Sequence, residues 1–295
     1  MNLRVPYLGY NAGGLFSDET NTWSKFNSIQ ATVRKQLSHG LSLQAAYSFN
    51  KSISNAYYLN YDSFYTPHYG LNGFYRPQRL SINYNWTIPT GQHQGLVAKA
   101  VNGWSVGGVT IIQTGDVLTP VDSRGGTAYG FGPGARPLST AILLPGMTRY
   151  NEPSTAGGND QNRIGCGDTT KCNGWFNRAA FDANAFANIG AGLAGNGNGL
   201  VPNAVGNAFG WGNSGYGTVT GPGQFNFDIS ISKSTIVGGL HENASLLFRA
   251  DMFNAFNHPQ FSDPSSVDVS TAGFGQITTT SVNPRLIQFS LKYIF

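Results

Sequence analysis

Polar and apolar residues alternate with a period of two in seven separate stretches of this chain, and that period predicts β-strands. In residues 284–295 one phase carries Ile287, Phe289, Leu291, Tyr293 and Phe295, and the other Gln288, Ser290 and Lys292, with Ile294 as the exception. Residues 26–37 set Ile29, Ala31, Val33 and Leu37 against Ser28, Gln30, Thr32, Arg34 and Gln36, with Lys35 interrupting. Ser38, His39 and Gly40 then read as a tight turn. Residues 41–50 follow with Leu41, Leu43, Ala45, Tyr47 and Phe49 against Ser42, Gln44, Ala46, Ser48 and Asn50. The two stretches form an expected hairpin in which Arg34 faces Gln44. Residues 78–88 place Leu80, Ile82, Tyr84, Trp86 and Ile88 against Arg79, Ser81, Asn83, Asn85 and Thr87. Residues 96–101 fit a short helical turn. A fourth strand is expected from residue 103 to about 114; its phase is unclear at Gly107 and Gly108, which points to a bulge. Residues 224–232 and 244–253 alternate again, through Phe225, Phe227, Ile229 and Ile231, then Leu246, Phe248, Ala250 and Met252.

Strands of roughly ten residues are long enough to cross a bilayer when tilted. Each has one apolar face, and no layer of the chain is evident to cover it. The predicted class is therefore all-β: an antiparallel transmembrane β-barrel segment of about seven long strands, an incomplete barrel with long extracellular loops. Residues 1–25 read as a loop and residues 26–295 as the barrel portion, with a long loop at about 115–222. Outer-membrane barrels have short periplasmic turns and long outer loops. With the last strand ending in the periplasm, residues 38–40, 89–102 and 234–243 fall inside, and 51–77, 115–222 and 254–283 fall outside. Aromatic residues sort accordingly. Trp86, Trp104, Tyr293 and Phe295 lie at periplasmic strand ends, and Tyr47, Phe49, Phe225 and Phe227 at outer ends, as interfacial girdles require. The polar phase would line the lumen through Arg34, Gln44, Arg79, Asp228, Arg249 and Asp251. A symmetric fifth-to-sixth turn would set Asp228 opposite Arg249 as a wall-stabilising pair.

Composition agrees with this class. Charged residues make up 11% and aromatics 13% of 295 residues, with 39 glycines. That charge is well below the soluble-domain norm of roughly 25%. No apolar run reaches the length of a membrane helix. The net charge of +4 is too dilute to suggest a nucleic-acid partner. The first residues lack the segments of an export signal, so the chain is expected to be a fragment that begins inside a barrel. Cys166 and Cys172 are close in sequence without neighbouring histidines, which favours a local disulfide in an oxidising compartment over a metal site.

The stretch from Phe248, Arg249, Ala250, Asp251 and Met252 through Phe253, Asn254, Ala255, Phe256, Asn257, His258, Pro259, Gln260 and Phe261 resembles TonB-dependent outer-membrane receptors of the Oar-like group. So do residues 274–278, 283–295, 175–181 and 221–228, and the hairpin of residues 26–52. The resemblance implies the C-terminal part of a receptor that imports a scarce solute, of siderophore or carbohydrate class, with energy relayed from the inner membrane. It implies a larger barrel with an N-terminal plug and no cofactor. The implied partners are outer-membrane lipid, the barrel-assembly machinery and an inner-membrane energy-coupling complex. Phe289, Leu291, Tyr293 and Phe295 resemble the C-terminal assembly signal of such barrels.

Other signals are weaker. Residues 190–195 match G-x-G-x-x-G but follow no strand and open no helix, so a dinucleotide site is not expected. The histidines are scattered over turns and loops, and His258 with Pro259 fits a turn-shaping role. No catalytic constellation can be assembled, so the chain is not expected to be an enzyme. The competing readings are a surface adhesin or secreted β protein that binds a partner through its long Gly/Asn-rich loop, and a passive porin. The adhesin needs a protein layer over Phe289, Leu291 and Tyr293, whereas a barrel leaves them bare.

Overall fold

The computed structural model describes residues 23–55, 69–73, 75–91, 93, 95–125, 139–146, 174–188, 200–202, 212–238 and 244–295. Its frame is one antiparallel sheet of seven long strands. These are β1 (Ser24–Ser38), β2 (Leu41–Ser54), β3 (Gln78–Thr87), β4 (Trp104–Gln113), β5 (Gln224–Ile236), β6 (Ser245–Phe253) and β7 (Leu286–Ile294). Each strand pairs with its neighbours in chain order, so the sheet is a simple meander. Both β1 and β7 have one paired side and one edge. Between β3 and β4 lies a short helix, α1 (Gly95–Val101).

The turn between β1 and β2 shows how local chemistry sets this pattern. His39 and Gly40 both have positive φ, 53° and 79°. Such a pair matches the right-handed twist of the flanking strands, which is why two-residue hairpins favour it. A register shift lies between Lys35 and Ser38, and Lys35 itself stays in the ladder opposite Leu43. β2 continues past residue 50 to Ser54, where it also pairs with the two-residue strand Gly70–Leu71.

The bulge expected at Gly107 and Gly108 is absent. Pairing through both residues is continuous with β3 and with β5. The glycine at 108 is there for space: an added Cβ would lie 2.5 Å from the Asp228 carbonyl and 2.6 Å from the Tyr84 hydroxyl. The Tyr84 side chain thus reaches across a residue without one, an arrangement known to protect strand glycines.

The register carries one polar phase across the sheet. Arg34 pairs with Gln44, Gln44 with Asn83, Asn83 with Val109 and Val109 with Asp228. Toward the other edge, Asn85 pairs with Gly107, Gly107 with Ser230, Ser230 with Asp251 and Asp251 with Gln288. The opposite phase runs Trp86, Val106, Ile231, Ala250 and Phe289 by the same pairings. Paired residues share a face, so the apolar phase of every strand falls on one side.

That apolar side is largely uncovered. Phe289 is 68% exposed, Leu291 67% and Tyr293 39%. Among the described residues, every enclosed hydrophobic side chain except Ala244 and Ala250 lies in the connections from 115 to 222 and from 254 to 285. The protein core therefore sits beside one end of the sheet, and the sheet's own apolar face has no protein layer upon it.

Candidate functional site

The six polar residues expected on one wall, Arg34, Gln44, Arg79, Asp228, Arg249 and Asp251, do share the polar face by register. Two open clefts lie on this face. One, of about 460 Å³, is bordered by Arg34, Ser42, Gln44, Asn83 and Asn85. The other, of about 420 Å³, is bordered by Asn85, Asp228, Ser230, Ser232, Arg249 and Asp251. Their linings offer amides, hydroxyls and one ion pair. The Arg34 guanidinium donates to the Gln44 carbonyl at 3.4 Å. Ser105 and Ser232 share a hydroxyl hydrogen bond of 2.6 Å.

Asp228 does not face Arg249. The turn lies further along than its composition indicates, because Lys233, Ser234, Thr235 and Ile236 also pair with β6. Arg249 consequently faces Ser232, and Asp251 faces Ser230. The Arg249 Nε instead donates to Asp251 Oδ1 at 2.8 Å along the same strand. Asp228 has a different task. Its Oδ1 accepts from the backbone N–H of Asn254 at 2.9 Å and from Asn226 Nδ2 at 3.1 Å.

The Asn254 bond starts a dense turn out of β6. Asn254 and Asn257 have φ of 49° and 52°, a left-handed conformation that asparagine tolerates better than most residues. Asn254 Oδ1 accepts from the His258 N–H, and its Nδ2 donates to the carbonyls of His258 and Asn283. The turn-shaping reading of His258 fits this geometry, although Asn254 does most of the bonding. Gln260 is 2% exposed. Its amide accepts from the Phe225 N–H at 2.6 Å and donates to the Phe225 carbonyl at 2.7 Å. One side chain thereby satisfies the backbone at the start of β5 as a neighbouring strand would.

From this turn the chain enters a packed body that periodicity did not reveal. Phe176, Phe181 and Phe274 form its centre, with ring centroids 5.5 Å (Phe176–Phe274) and 5.3 Å (Phe181–Phe274) apart. Ala141, Ala180, Val219 and Val269 complete the buried cluster. Polar ties hold it closed. Trp175 donates its backbone N–H to Gly275 and its indole N–H to Thr220. Arg178 donates to the carbonyls of Thr271 and Ala272. Asp122, 1% exposed, forms a two-point ion pair with Arg124 at 2.7 and 2.9 Å. Those hydrogen bonds raise the Arg124 pKa above its ordinary value, partly opposed by burial. The connection after β2 joins the same body through Arg76, which bonds Asp116, while Asn72 ties that connection to Ser52 and Ser54 of β2. The described parts of all three long connections therefore occupy one end of the sheet.

Where they meet, three charged side chains come from three connections. Arg76 Nη2 lies 2.9 Å from Asp116 Oδ2, and Arg76 Nη1 donates to the Thr114 carbonyl at 2.8 Å. Asp263 lies beside Asp116. Burial, then the Asp116 charge and a hydrogen bond with it, raise the Asp263 pKa to about 6, partly opposed by Arg76. An unfolded Asp titrates near 3.9. The folded state thus holds an extra proton between these values, so its stabilising contribution is present at low pH and is lost as pH rises through about 6. Asp263 is only partly buried, so screening limits the effect to about 1 kcal/mol. Hydrogen exchange should show residues 115–122 and 260–266 better protected at about pH 5 than at about pH 7. Asp263→Asn should flatten that difference; an unchanged pH dependence in the variant would assign it to another group.

Cys166, Cys172 and residues 190–195 lie outside the described residues. Among the described residues no cluster of three or more His, Cys, Asp or Glu side chains is placed to hold a metal ion. No helix among them is long and apolar enough to cross a membrane, which leaves crossing by strands open. The terminal strand residues Phe289, Leu291, Tyr293 and Phe295 all present exposed rings or chains, Phe295 at 78%. A family model described as outer membrane beta barrel domain matches residues 1–288. Neither a curated protein nor a solved structure matches the chain significantly.

Proposed function

Because the chain belongs to the outer membrane beta barrel domain family, which places it in the cell outer membrane, we propose that it forms part of the wall and outer surface of a TonB-dependent receptor. In this reading it takes up a scarce solute, of siderophore or carbohydrate class, and catalyses no reaction. The observation that carries the proposal is the packed body built by the three long connections at one end of a polar-faced sheet. A passive pore needs only a polar wall; an outer body with its own core supplies a shaped surface for solute capture. The resemblance of residues 248–261 and 283–295 to Oar-like receptors supports the same choice.

Bare Phe289 and Leu291 weigh against a secreted adhesin, which would have to cover them. Both sheet edges lack partners among the described residues, and open edges are not tolerated in lipid. In this reading β1 and β7 each take a further neighbour in the closed wall. The remaining partners follow from the reading: assembly machinery that recognises β7, and an inner-membrane complex that supplies energy.

Deleting the gene in its native host tests this. Growth should fail on one of two solute panels, ferric chelates or oligosaccharides, and uptake in the parent strain should stop when a protonophore collapses the proton gradient. Uptake that survives the protonophore would identify a passive porin instead.

A further inference from the structure

Helix α1 has the sequence Gly95, Leu96, Val97, Ala98, Lys99, Ala100, Val101. At 3.6 residues per turn, Leu96, Ala100, Val97 and Val101 fall within an arc of about 140°, and Lys99 lies outside it. None of the helix is buried. Leu96 is 84% exposed, Val97 58% and Val101 39%. A seven-residue helix gains little stability by itself in water and is normally held by packing of its apolar face.

What holds α1 is at its other end. Trp104 Nε1 donates to the Ala100 carbonyl at 3.1 Å. Lys233 Nζ donates to the carbonyls of Ala100 and Asn102 at 2.8 and 2.9 Å. Thr235 Oγ1 donates to the Lys99 carbonyl at 3.4 Å. The ammonium of Lys233 also sits 4.8 Å from the Trp104 ring centroid, a favourable cation–π geometry. A cation bonded to the last carbonyls complements the helix dipole.

Trp104, Lys233 and Thr235 share a phase with Val106 and Ile231, so all three tethers project from the apolar face of the sheet. They fix α1 on the lipid side, at the end opposite the packed connections. At this end the apolar face of the sheet also carries Trp86, which is 42% exposed. An apolar arc joined to a lipid-facing surface, with lysines and tryptophans at its margin, is the make-up of an interfacial helix.

We propose that α1 lies in the periplasmic leaflet of the outer membrane, with Leu96, Val97 and Val101 among phospholipid acyl chains and Lys99 and Lys233 at phosphate level. The occupant of the apolar arc is thus phospholipid, and α1 braces the β4–β5 end against the bilayer surface. The leaflet assignment rests on the reading that short connections face the periplasm.

The test uses Leu96→Cys and Lys99→Cys, each in a Cys166→Ser, Cys172→Ser background, labelled with an environment-sensitive fluorophore and reconstituted in phosphatidylethanolamine/phosphatidylglycerol vesicles. Heat-modifiable gel mobility first establishes that each variant is folded. The Leu96→Cys label should emit to the blue of the Lys99→Cys label. Spin-labelled phospholipid with a shallow nitroxide should quench it about twofold more than one with a deep nitroxide. Aqueous emission without quenching would overturn the proposal. Blue emission indifferent to the nitroxides would also overturn it, since a second copy or another protein segment would then cover the arc. The leaflet is tested separately with a bulky maleimide on Lys99→Cys cells. Reaction only after the outer membrane is permeabilised supports the periplasmic side. Reaction in intact cells together with quenching would overturn the loop orientation while leaving the interfacial contact in place.

Discussion

Replacing Phe289 by Arg should destabilise the inserted sheet by about 2–4 kcal/mol, the cost of a cation at the bilayer midplane of a barrel. Phe289 lies on the apolar face, six positions before the interfacial Phe295. With strands tilted about 45°, six residues descend about 14 Å, close to half of the ~25 Å apolar band. In water the same change would cost little beyond the stacked contact with Phe248 at 6.2 Å, because Phe289 is already 68% exposed. The large effect is thus specific to lipid. The control is the next residue. Gln288 faces Asp251 on the polar side, so Gln288→Arg places opposite charges across the strands and should be tolerated or slightly stabilising. Outer-membrane yield and the fraction with folded gel mobility should fall sharply for Phe289→Arg and hold for Gln288→Arg. Equal loss in both variants would mean that the two faces are not lipid and lumen.

The contrast between adjacent residues was legible in the sequence because a strand's phase is a local property. Gln288 and Phe289 need no knowledge of the rest of the chain to be assigned to opposite faces. The β1–β2 pairing of Arg34 with Gln44 was readable because the turn is short and local, although it is reached through a register shift between Lys35 and Ser38 rather than through the two-residue turn alone. The β5–β6 register was not readable. Lys233 occupies the apolar phase and looks like a strand end, yet it remains in the ladder because its ammonium is satisfied by α1 carbonyls from another hairpin. Gly108 misled for a similar reason: its lack of a side chain answers to Tyr84, on a different strand. The candidate site was half visible. Its wall follows from alternation, whereas the outer body depends on contacts such as Ser123 with Asp268 and Arg178 with Thr271, far apart in sequence. Val219 and Phe274 stand singly among glycines and polar residues, Phe176 has only Trp175 beside it, and no period marks any of them as core. In the motif from Asn254 to Gln260, a resemblance could point to the segment but not to the backbone bonds that Asn254 and Gln260 supply.

That outer body should be separable from the barrel, and Phe274→Ala is the change that separates them. Phe274 is 1% exposed and touches both Phe176 and Phe181. Removing a buried ring costs about 3–5 kcal/mol, because transfer energy is lost and a cavity remains. The body is small and is built from several short segments, so a loss of that size is a large share of what holds it together. The strands depend on other forces. Their ladders are continuous from β1 to β7, and their apolar face is turned to lipid rather than to Phe274. In cells expressing Phe274→Ala, external protease should cleave within residues 115–222 and 254–285 much faster than in the parent, while the strands keep folded gel mobility. Solute uptake should fall with the integrity of the body, since the proposed capture surface is built from these connections. Retained protease resistance would mean that the Phe176–Phe181–Phe274 cluster is not what closes the body. Loss of the folded barrel itself would show that the connections and the sheet are one cooperative unit, with the outer body helping to hold the strands in register.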